Sequence, residues 1–309
     1  MEHEKLGTTG GLSAVKDISL KKYPNILKDY LKCGFQATNL GSAGQTIKQM
    51  IEEDYFILLS FTANMMASGL RGAFKDVIQT GSVDAVITTG GSIDHDIIRS
   101  YNDYFLGDFQ ADDNILHEKG INRLGNILIP NEGYVSLEEK IRPLIRKASK
   151  ENDVWSPKDL TAFLAENLEP KDNFIQRAAD RLLPVYSPGF IDSAIGLQIF
   201  FHKKEGNKFI LDVSKDLVDL ENRIMRQDKV GAIVCGGGIS KHHLIGSTLL
   251  RGGLDKAVYI TTAQEYDGSL SGAQTREAKS WGKIAEKADT QTVYGEATLV
   301  LPLLLSTLM

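Results

Sequence analysis

The chain has 309 residues, 42% of them hydrophobic, and its 35 lysines and arginines stand against 40 aspartates and glutamates, for a formal charge of −5. This length and apolar content can bury a substantial core, whereas the mildly acidic balance argues against nucleic-acid binding, which requires a basic face. The two cysteines, Cys33 and Cys235, lie far apart with no CxxC pair, so we expect neither a zinc site nor a disulfide framework, and no other metal.

Both ends of the chain argue against membrane targeting. The first residues, MEHEKLGTTGG, are polar and acidic, unlike a secretion signal, and residues 1–20 are expected to form an extended N-terminal arm. The longest apolar run, residues 297–309, is interrupted by Pro302 and is too short to span a bilayer. We therefore expect a soluble, cytoplasmic protein with no membrane partner.

The pattern of apolar residues predicts strands alternating with helices along most of the chain. Residues 24–53 mix helical patterning with a glycine-rich turn over residues 34–44, GFQATNLGSAG. Strands are predicted at residues 56–60, 83–87, 184–186, 230–234 and 257–262, and helices at residues 68–80, from about residue 94, and at 136–149, 158–167, 173–183, 192–201 and 242–250, before two closing segments at 293–297 and 299–305. Continuously apolar strands favour a parallel sheet buried on both faces. We therefore predict one large α/β domain, residues 1–309, with a Rossmann-like, mainly parallel wound sheet and helices on both faces.

Two strand–glycine–helix units stand out, VDAVITTGGSIDHDII and VGAIVCGGGISKHHLI. In a wound sheet such turns let backbone amides approach a pyrophosphate at a helix N-terminus. Neither unit is a literal GxGxxG, because Lys241 stands where the third glycine of the second unit is expected. A nucleotide site and a simple tight connection both fit this pattern.

Residues 259–283 combine acids, an aromatic residue and a terminal lysine in the stretch YITTAQEYDGSLSGAQTREAKSWGK. This composition suits a polycation and an amine nucleophile, since Trp281 could supply an apolar wall and a cation–π surface next to Lys283. The alternative is that Trp281 is a core aromatic and Lys283 a surface charge. Of the adjacent His242 and His243, at most one can face the site from a helix, where a histidine could act as a general base.

The chain resembles deoxyhypusine synthases, and specifically the archaeal-type members, over nearly its whole length. The resemblance is carried by GFQATNL, FTANMMASGLR, TTGGSIDHD, GINRLGNILIPNEGY, SPGFIDSAIG, GGGISKHH, TAQEYDGSLSGA and SWGKI. It implies an NAD-dependent transfer of the 4-aminobutyl group of spermidine to an enzyme lysine, and then to one lysine of a translation initiation factor precursor. It also implies a homotetramer whose active sites, with their NAD, lie between paired subunits, and an N-terminal arm that can cover a neighbour's entrance.

The resemblance also implies roles for individual residues. Lys283 matches the imine-forming lysine and His242 the proposed base, while Trp281, Glu277, Gly268 and Tyr259 match substrate-binding positions. The positions that match the NAD site are Asn64, Thr89, Gly90, Gly91, Asp192, Gly236, Gly237, Thr262, Ala263, Asp267, Ser271 and Glu296.

The chain departs from the eukaryotic members at several positions. Leu197 and Leu270 replace aspartates that help hold spermidine, Gly246 an asparagine, His95 a cofactor-side glutamate and Glu296 an aspartate. Each lost acid removes a possible charge-assisted contact of about 1.5–3 kcal/mol. The sequence therefore indicates the type of reaction more firmly than it indicates which polyamine is the substrate. The departures at Leu197 and Leu270 motivate one rival function, transfer to putrescine, giving homospermidine. The paired glycine turns and a histidine are also compatible with an NAD-dependent deacylase, and a third alternative is a non-catalytic sensor of NAD or polyamine.

Overall fold

The computed structural model describes residues 26–169 and 171–309, so the predicted N-terminal arm lies outside the described residues. The strands are β1 Phe56–Ser60, β2 Ala85–Ile87, β3 Phe105–Leu106, β4 Ile121–Leu124, β5 Ile127–Pro130, β6 Val154–Trp155, β7 Val185–Tyr186, β8 Ile210–Leu211, β9 Val230–Cys235, β10 Leu254–Thr261 and β11 Ile284–Tyr294. The helices are α1 Ile26–Tyr30, α2 Phe35–Glu52, α3 Ala63–Ala67, α4 Leu70–Thr80, α5 Gly90–Tyr101, α6 Asp113–Glu118, α7 Asn131–Glu151, α8 Pro157–Asn167, α9 Phe174–Asp180, α10 Ala194–Lys204, α11 Val213–Ile224, α12 Gly238–Ser247, α13 Thr275–Ser280 and α14 Ala297–Leu305.

Within the described residues the main sheet has six strands in the order β11-β10-β9-β1-β2-β7, and every neighbouring pair is parallel. The chain runs from β1 to β2 and β7 on one side. It then returns to β9 beside β1 and continues to β10 and β11 on the other side. This is the order of a doubly wound sheet, which leaves a crevice between the carboxyl ends of β1 and β9.

The sheet is buried on both faces. Every residue of β2 and β9 is buried, which explains why these strands read as continuous apolar runs. Consecutive residues of β10, such as Val258 and Tyr259, belong to two different apolar clusters, one on each face of the sheet. The predicted α/β class with a wound, mainly parallel sheet and helices on both faces is confirmed.

Two sequence predictions were wrong. Helix α2 begins at Phe35, directly after Gly34, and so includes all but the first of residues 34–44, which were predicted as a glycine-rich turn. Its glycines serve helix packing instead: a Cβ on Gly41 would lie 2.6 Å from the backbone nitrogen of Leu31, and one on Gly44 would lie 2.7 Å from Leu27 Cδ1. Strand β11 is eleven residues long and was missed over most of its length, because an edge strand with many half-exposed polar residues lacks the apolar pattern.

Smaller sheets lie outside the main one. β3, β5 and β4 form an antiparallel sheet, and β6 pairs with β8; the sequence indicated neither. None of the described helices has the length and apolar content needed to cross a bilayer. Among residues 26–169 and 171–309, no three His, Cys, Asp or Glu side chains are grouped so that they could hold a metal ion.

Two buried carboxylates on α5 fix the helices around the sheet. Asp94 accepts hydrogen bonds from the backbone amides of Ala194 (2.7 Å) and Ile195 (3.1 Å) at the start of α10. Asp96 accepts from Phe174 and Ile175 of α9, both at 3.0 Å, and also from Arg71 Nε at 2.8 Å. The acidic residues after the first glycine turn are therefore helix caps, since each satisfies amides that have no partner inside their own helix.

Replacing Asp96 tests this anchor. Asp96→Asn should lower the free energy of unfolding by about 3–5 kcal/mol, because Arg71 would remain buried without its carboxylate. Urea denaturation measures the change. The control is Asp113→Asn, which removes the two-point surface pair with Arg123 and should leave the midpoint almost unchanged. A similar loss in both variants would contradict the assignment of Asp96 as the anchor.

Candidate active site

A cavity of about 240 Å³ lies between α12, α13 and one face of β10. Its lining residues are Lys241, His242, Ile245, Tyr259, Leu270, Ala273, Gln274, Glu277, Ala278, Trp281 and Lys283. Five of the six residues predicted for catalysis and substrate binding therefore meet in one place. The sixth, Gly268, lies in the exposed loop after β10 with a left-handed φ of 69° and does not border the cavity.

The end of α13 explains how Trp281 and Lys283 reach the cavity. Gly282 has a φ of 68°, and its amide donates to the carbonyl of Lys279 while the amide of Lys283 donates to that of Ala278, both at 3.0 Å. These bonds form a Schellman motif, in which glycine supplies the left-handed residue. The motif fixes the reversal of the chain before β11, with Lys283 directly after the turn.

Trp281 and Lys283 lie together at the mouth of the cavity. Trp281 is 67% exposed, so it is not a core aromatic, and Lys283 is half-buried. Lys283 Nζ lies 5.6 Å from the centre of the Trp281 ring. A partly shielded amine can act as a nucleophile, and the open aromatic face beside it can bind a cationic group.

The two adjacent histidines lie in different environments. His242 is exposed and lines the cavity. His243 is half-buried outside it, its Nε2 has no hydrogen-bond partner among the described residues, and burial lowers the pKa of its ring. Only His242 therefore presents an imidazole to the cavity, where it can exchange a proton with a bound molecule.

Lys241 is a charged cavity residue that was not among the predicted site residues. It is only 2% exposed, and its Nζ donates to the carbonyls of Leu270 and Ala273, each at 2.7 Å. The same Nζ lies 4.3 Å from the centre of the Tyr259 ring. Burial lowers the pKa of Lys241 to about 8, although the carboxylate of Glu277 acts in the opposite direction. The available sequence signal was its place beside His242 in the first turns of α12.

The residues predicted to hold a cofactor follow the carboxyl ends of the parallel strands. Asn64 follows β1, Thr89, Gly90 and Gly91 follow β2, Asp192 follows β7, Gly236 and Gly237 follow β9, Thr262, Ala263, Asp267 and Ser271 follow β10, and Glu296 follows β11. Because the strands are parallel, their carboxyl ends meet at one edge of the sheet, and the twelve positions belong to the segments that leave this edge on both sides of the crevice between β1 and β9.

The turns at this edge are in close contact. A Cβ on Gly237 would lie 2.5 Å from Ser271 Cα, and one on Gly91 would lie 3.1 Å from the Cβ of Ala63. Gly236 adopts a left-handed φ of 77°, and a Cβ there would lie 3.8 Å from Thr62 Oγ1. Glycine is required at Gly237 because any side chain would displace the segment that carries Ser271.

Helix N-termini add positive potential to the same edge. In the part of the chain that the structure describes, no side chain caps the first amides of α3, α5, α12 or α14, which follow β1, β2, β9 and β11. By contrast, side chains cap α9 and α10. Free amides at the positive ends of helices are suited to an anionic group such as a phosphate.

Comparison with known proteins identifies the family. The family model for deoxyhypusine synthase matches residues 25–308. A protein of Picrophilus torridus named "Probable deoxyhypusine synthase" is 40% identical over 94% of this chain and 96% of its own length. A protein of the same name from Thermoplasma acidophilum is 42% identical over 88% of each chain. The chain belongs to the deoxyhypusine synthase family. It is therefore an enzyme of the transferase class.

A solved structure supports the fold. The crystal structure of an Entamoeba histolytica protein assigned as a deoxyhypusine synthase has a TM-score of 0.67 to this chain. It is 24% identical and covers 95% of this chain and 96% of its own. At this level of identity the likeness concerns the fold alone.

The positions at which the chain departs from eukaryotic family members lie in different places. Leu270 lines the Lys283 cavity, whereas Leu197 borders a separate depression that includes Asp192. His95 is buried, and its Nδ1 lies 2.7 Å from the hydroxyl of Tyr104. Burial, with Arg99 nearby, lowers the pKa of His95 to about 4, so the ring is neutral and packs as part of α5.

The close contact at Gly237 can be tested with a matched pair of glycines. Gly237→Ala should reduce the free energy of unfolding by roughly 1–3 kcal/mol, because the new methyl would overlap Ser271. Gly246→Ala, in the same helix region with nothing within 4 Å of the new methyl, should be neutral or stabilise by roughly 0.4–1 kcal/mol. Thermal unfolding gives both values, and equal effects would show that the contact with Ser271 is unimportant.

The lowered pKa of Lys241 predicts a pH-dependent stability. An ordinary lysine has a pKa of 10.5, so between pH about 8 and 10.5 the unfolded chain keeps a proton that the folded chain has released. The contribution of Lys241 to stability therefore rises with pH across this window. In urea unfolding, the free energy of unfolding of the unchanged protein minus that of Lys241→Met should increase as pH rises. A constant difference would contradict the buried ammonium.

Proposed function

We propose that the protein catalyses the NAD-dependent transfer of the 4-aminobutyl group of spermidine, through an imine on Lys283, to one lysine of a translation initiation factor precursor, forming deoxyhypusine. The observation that carries the proposal is the meeting of Lys283, His242 and Glu277 in one cavity beside β10. Membership of the deoxyhypusine synthase family supports the reaction class.

The carboxyl edge of the sheet fits a dinucleotide. The crevice between β1 and β9, the close turns at Gly236 and Gly237, and the uncapped starts of α5 and α12 would accept its pyrophosphate. Asn64, Asp267 and Glu296 would supply polar side chains along the same edge. NAD, when bound, would supply reversible hydride transfer, which would make the overall aminobutyl transfer redox-neutral.

The cavity residues have distinct roles in this proposal. The carboxylate of Glu277 and the exposed ring of Trp281 would bind ammonium groups of spermidine. His242 would accept the proton that the secondary amine loses on oxidation, since an imidazole can act as a base near neutral pH. Tyr259 would close the floor of the cavity, because it is buried on β10.

Lys283 would carry the transferred group. Its amine would add to the oxidised carbon of spermidine, forming a C–N bond, and 1,3-diaminopropane would leave with the proton that His242 returns. The acceptor lysine would then add to the same carbon and displace Lys283, restoring the enzyme amine. The open side of the cavity at Trp281 gives a protein lysine access to this position.

The proposal extends to assembly and location. We expect a cytoplasmic homotetramer with NAD and the active sites between paired subunits. An apolar groove of about 560 Å³, which includes Ile191, Phe200 and Val213, offers a surface that a second subunit could cover. All three side chains are exposed in the single chain, as is common for apolar residues at subunit contacts.

Lys283→Ala tests the central step. We expect transfer to fall below detection while NAD binding stays within about threefold, because Lys283 lies in the cavity and not at the dinucleotide edge. Borohydride trapping with labelled spermidine and NAD should place the label on Lys283. Lys279→Ala, one turn earlier on α13, is the matched control and should retain activity. An unchanged transfer rate in Lys283→Ala would refute this role and favour a non-catalytic sensor.

Leu270 is the reason to test one rival function, the transfer of the aminobutyl group to putrescine. It places a leucine in the cavity, where the resemblance to eukaryotic members implies an acid. Incubating the protein with spermidine, NAD and either the factor precursor or putrescine decides between acceptors. We expect deoxyhypusine on the precursor. Homospermidine formed without any modified precursor would overturn the proposed acceptor. In a separate incubation with NAD and an acyl-lysine peptide, hydrolysis of the acyl group would favour the deacylase.

A further inference from the structure

Lys241 places a buried ammonium group in the wall of the cavity without an ion-pair partner among the described residues. Two of its directions are taken by the carbonyls of Leu270 and Ala273, and the ring face of Tyr259 lies 4.3 Å from Nζ. Burying a charge in this way is costly unless its hydrogen bonds are satisfied. An apolar residue would fill the same space without this cost. We therefore attribute the presence of a lysine to the two carbonyl groups that its ammonium group binds.

The segment held by Lys241, residues 270–273, borders two sites. Leu270 and Ala273 line the cavity of Lys283. Ser271, between them, packs against Gly237 in the turn after β9, and both residues match positions of the NAD site. The same few residues therefore form a wall of the polyamine cavity on one side and of the cofactor edge on the other.

The other hydrogen bonds of this segment are few and mostly local. The amides of Gly272 and Ala273 both donate to the carbonyl of Ser269, and Thr261 Oγ1 donates to the carbonyl of Ser271. Lys241 adds two bonds from α12, a helix that itself begins at Gly238 on the cofactor edge. It thus ties the shared wall to the helix that also carries His242.

We propose that Lys241 is a positioning residue that holds residues 270–273 in place and thereby sets the affinity of both sites at once. The inference rests on the proposed function, since it concerns the NAD and spermidine sites of that reaction. It assigns Lys241 no contact with the reacting atoms. Its loss should therefore weaken the binding of both ligands more than it slows the step that follows binding.

The test compares Lys241→Met, which keeps the length and removes both donors, with Lys241→Arg, which keeps them. The control is Lys279→Met, because Lys279 Nζ also donates to two carbonyls, those of Glu286 and Ala288, but outside the cavity. Four quantities are measured: amide hydrogen exchange over residues 269–274 without ligand, the Kd for NAD, and both KM and kcat for NAD-dependent spermidine cleavage.

We expect Lys241→Met to exchange at least tenfold faster over residues 269–274. The Kd for NAD and the KM for spermidine should each rise about tenfold, with kcat falling less than about threefold. Lys241→Arg should recover part of both affinities, and Lys279→Met should match the unchanged protein. Unaltered exchange and affinities in Lys241→Met would overturn the proposal. So would a large loss of kcat with unchanged affinities, which would indicate a role in the chemistry.

Two further outcomes stay interpretable. If Lys241→Met does not fold, Lys241→Gln replaces it, because its shorter side chain keeps a polar amide group but does not reach as far as the lysine. This variant should show the same changes to a smaller extent, and affinities equal to those of the unchanged protein would overturn the proposal. If the unchanged protein neither binds NAD nor consumes spermidine, the proposed function fails. The exchange measurement needs no ligand, and it would still show whether Lys241 holds the segment.

Discussion

The parallel alignment of six strands, with its reversal of order between β1 and β9, is the constraint on which the rest of the structure depends. It brings the carboxyl ends of six strands to one edge of the sheet. A crevice forms between β1 and β9, because the connections after these two strands run to opposite sides of the sheet. The turns must then pass close to one another, so Gly237 can carry no side chain beside Ser271. The same arrangement directs toward the crevice helix starts that no side chain of the described residues caps, which gives the edge a positive electrostatic potential.

Two local devices turn this frame into a site. On one side of the sheet, Asp94 and Asp96 cap α10 and α9 from inside the core, so that helices from distant parts of the sequence are fixed to α5. On the other side, the Schellman motif at Gly282 ends α13 and returns the chain to β11 with Lys283 at the turn. The first device supplies rigidity, and the second places the Lys283 amine, for which we propose the role of nucleophile.

The central strands could be predicted from sequence because burial on both faces leaves an unbroken apolar run, as in β9. The same reasoning failed for α2, since Gly41 and Gly44 provide close contact with α1 and not a turn. It failed for β11 because an edge strand needs few apolar residues. Family motifs located most cavity residues, but not the burial of Lys241, since its carbonyl partners come from a loop some thirty positions away.

The charges of the cavity bear on how a polyamine could be bound. Glu277 is the lining residue with a carboxylate, while Lys241 and Lys283 both bring amines. A molecule with several ammonium groups would be repelled by such a lining unless further acids approach it. The bonds from Lys241 to two carbonyls disperse part of its charge, and Leu270 adds none. Within the proposed tetramer, acids from a second subunit would add to the one carboxylate that the described residues bring to the cavity, which makes pairing a condition for binding the substrate and not only for stability.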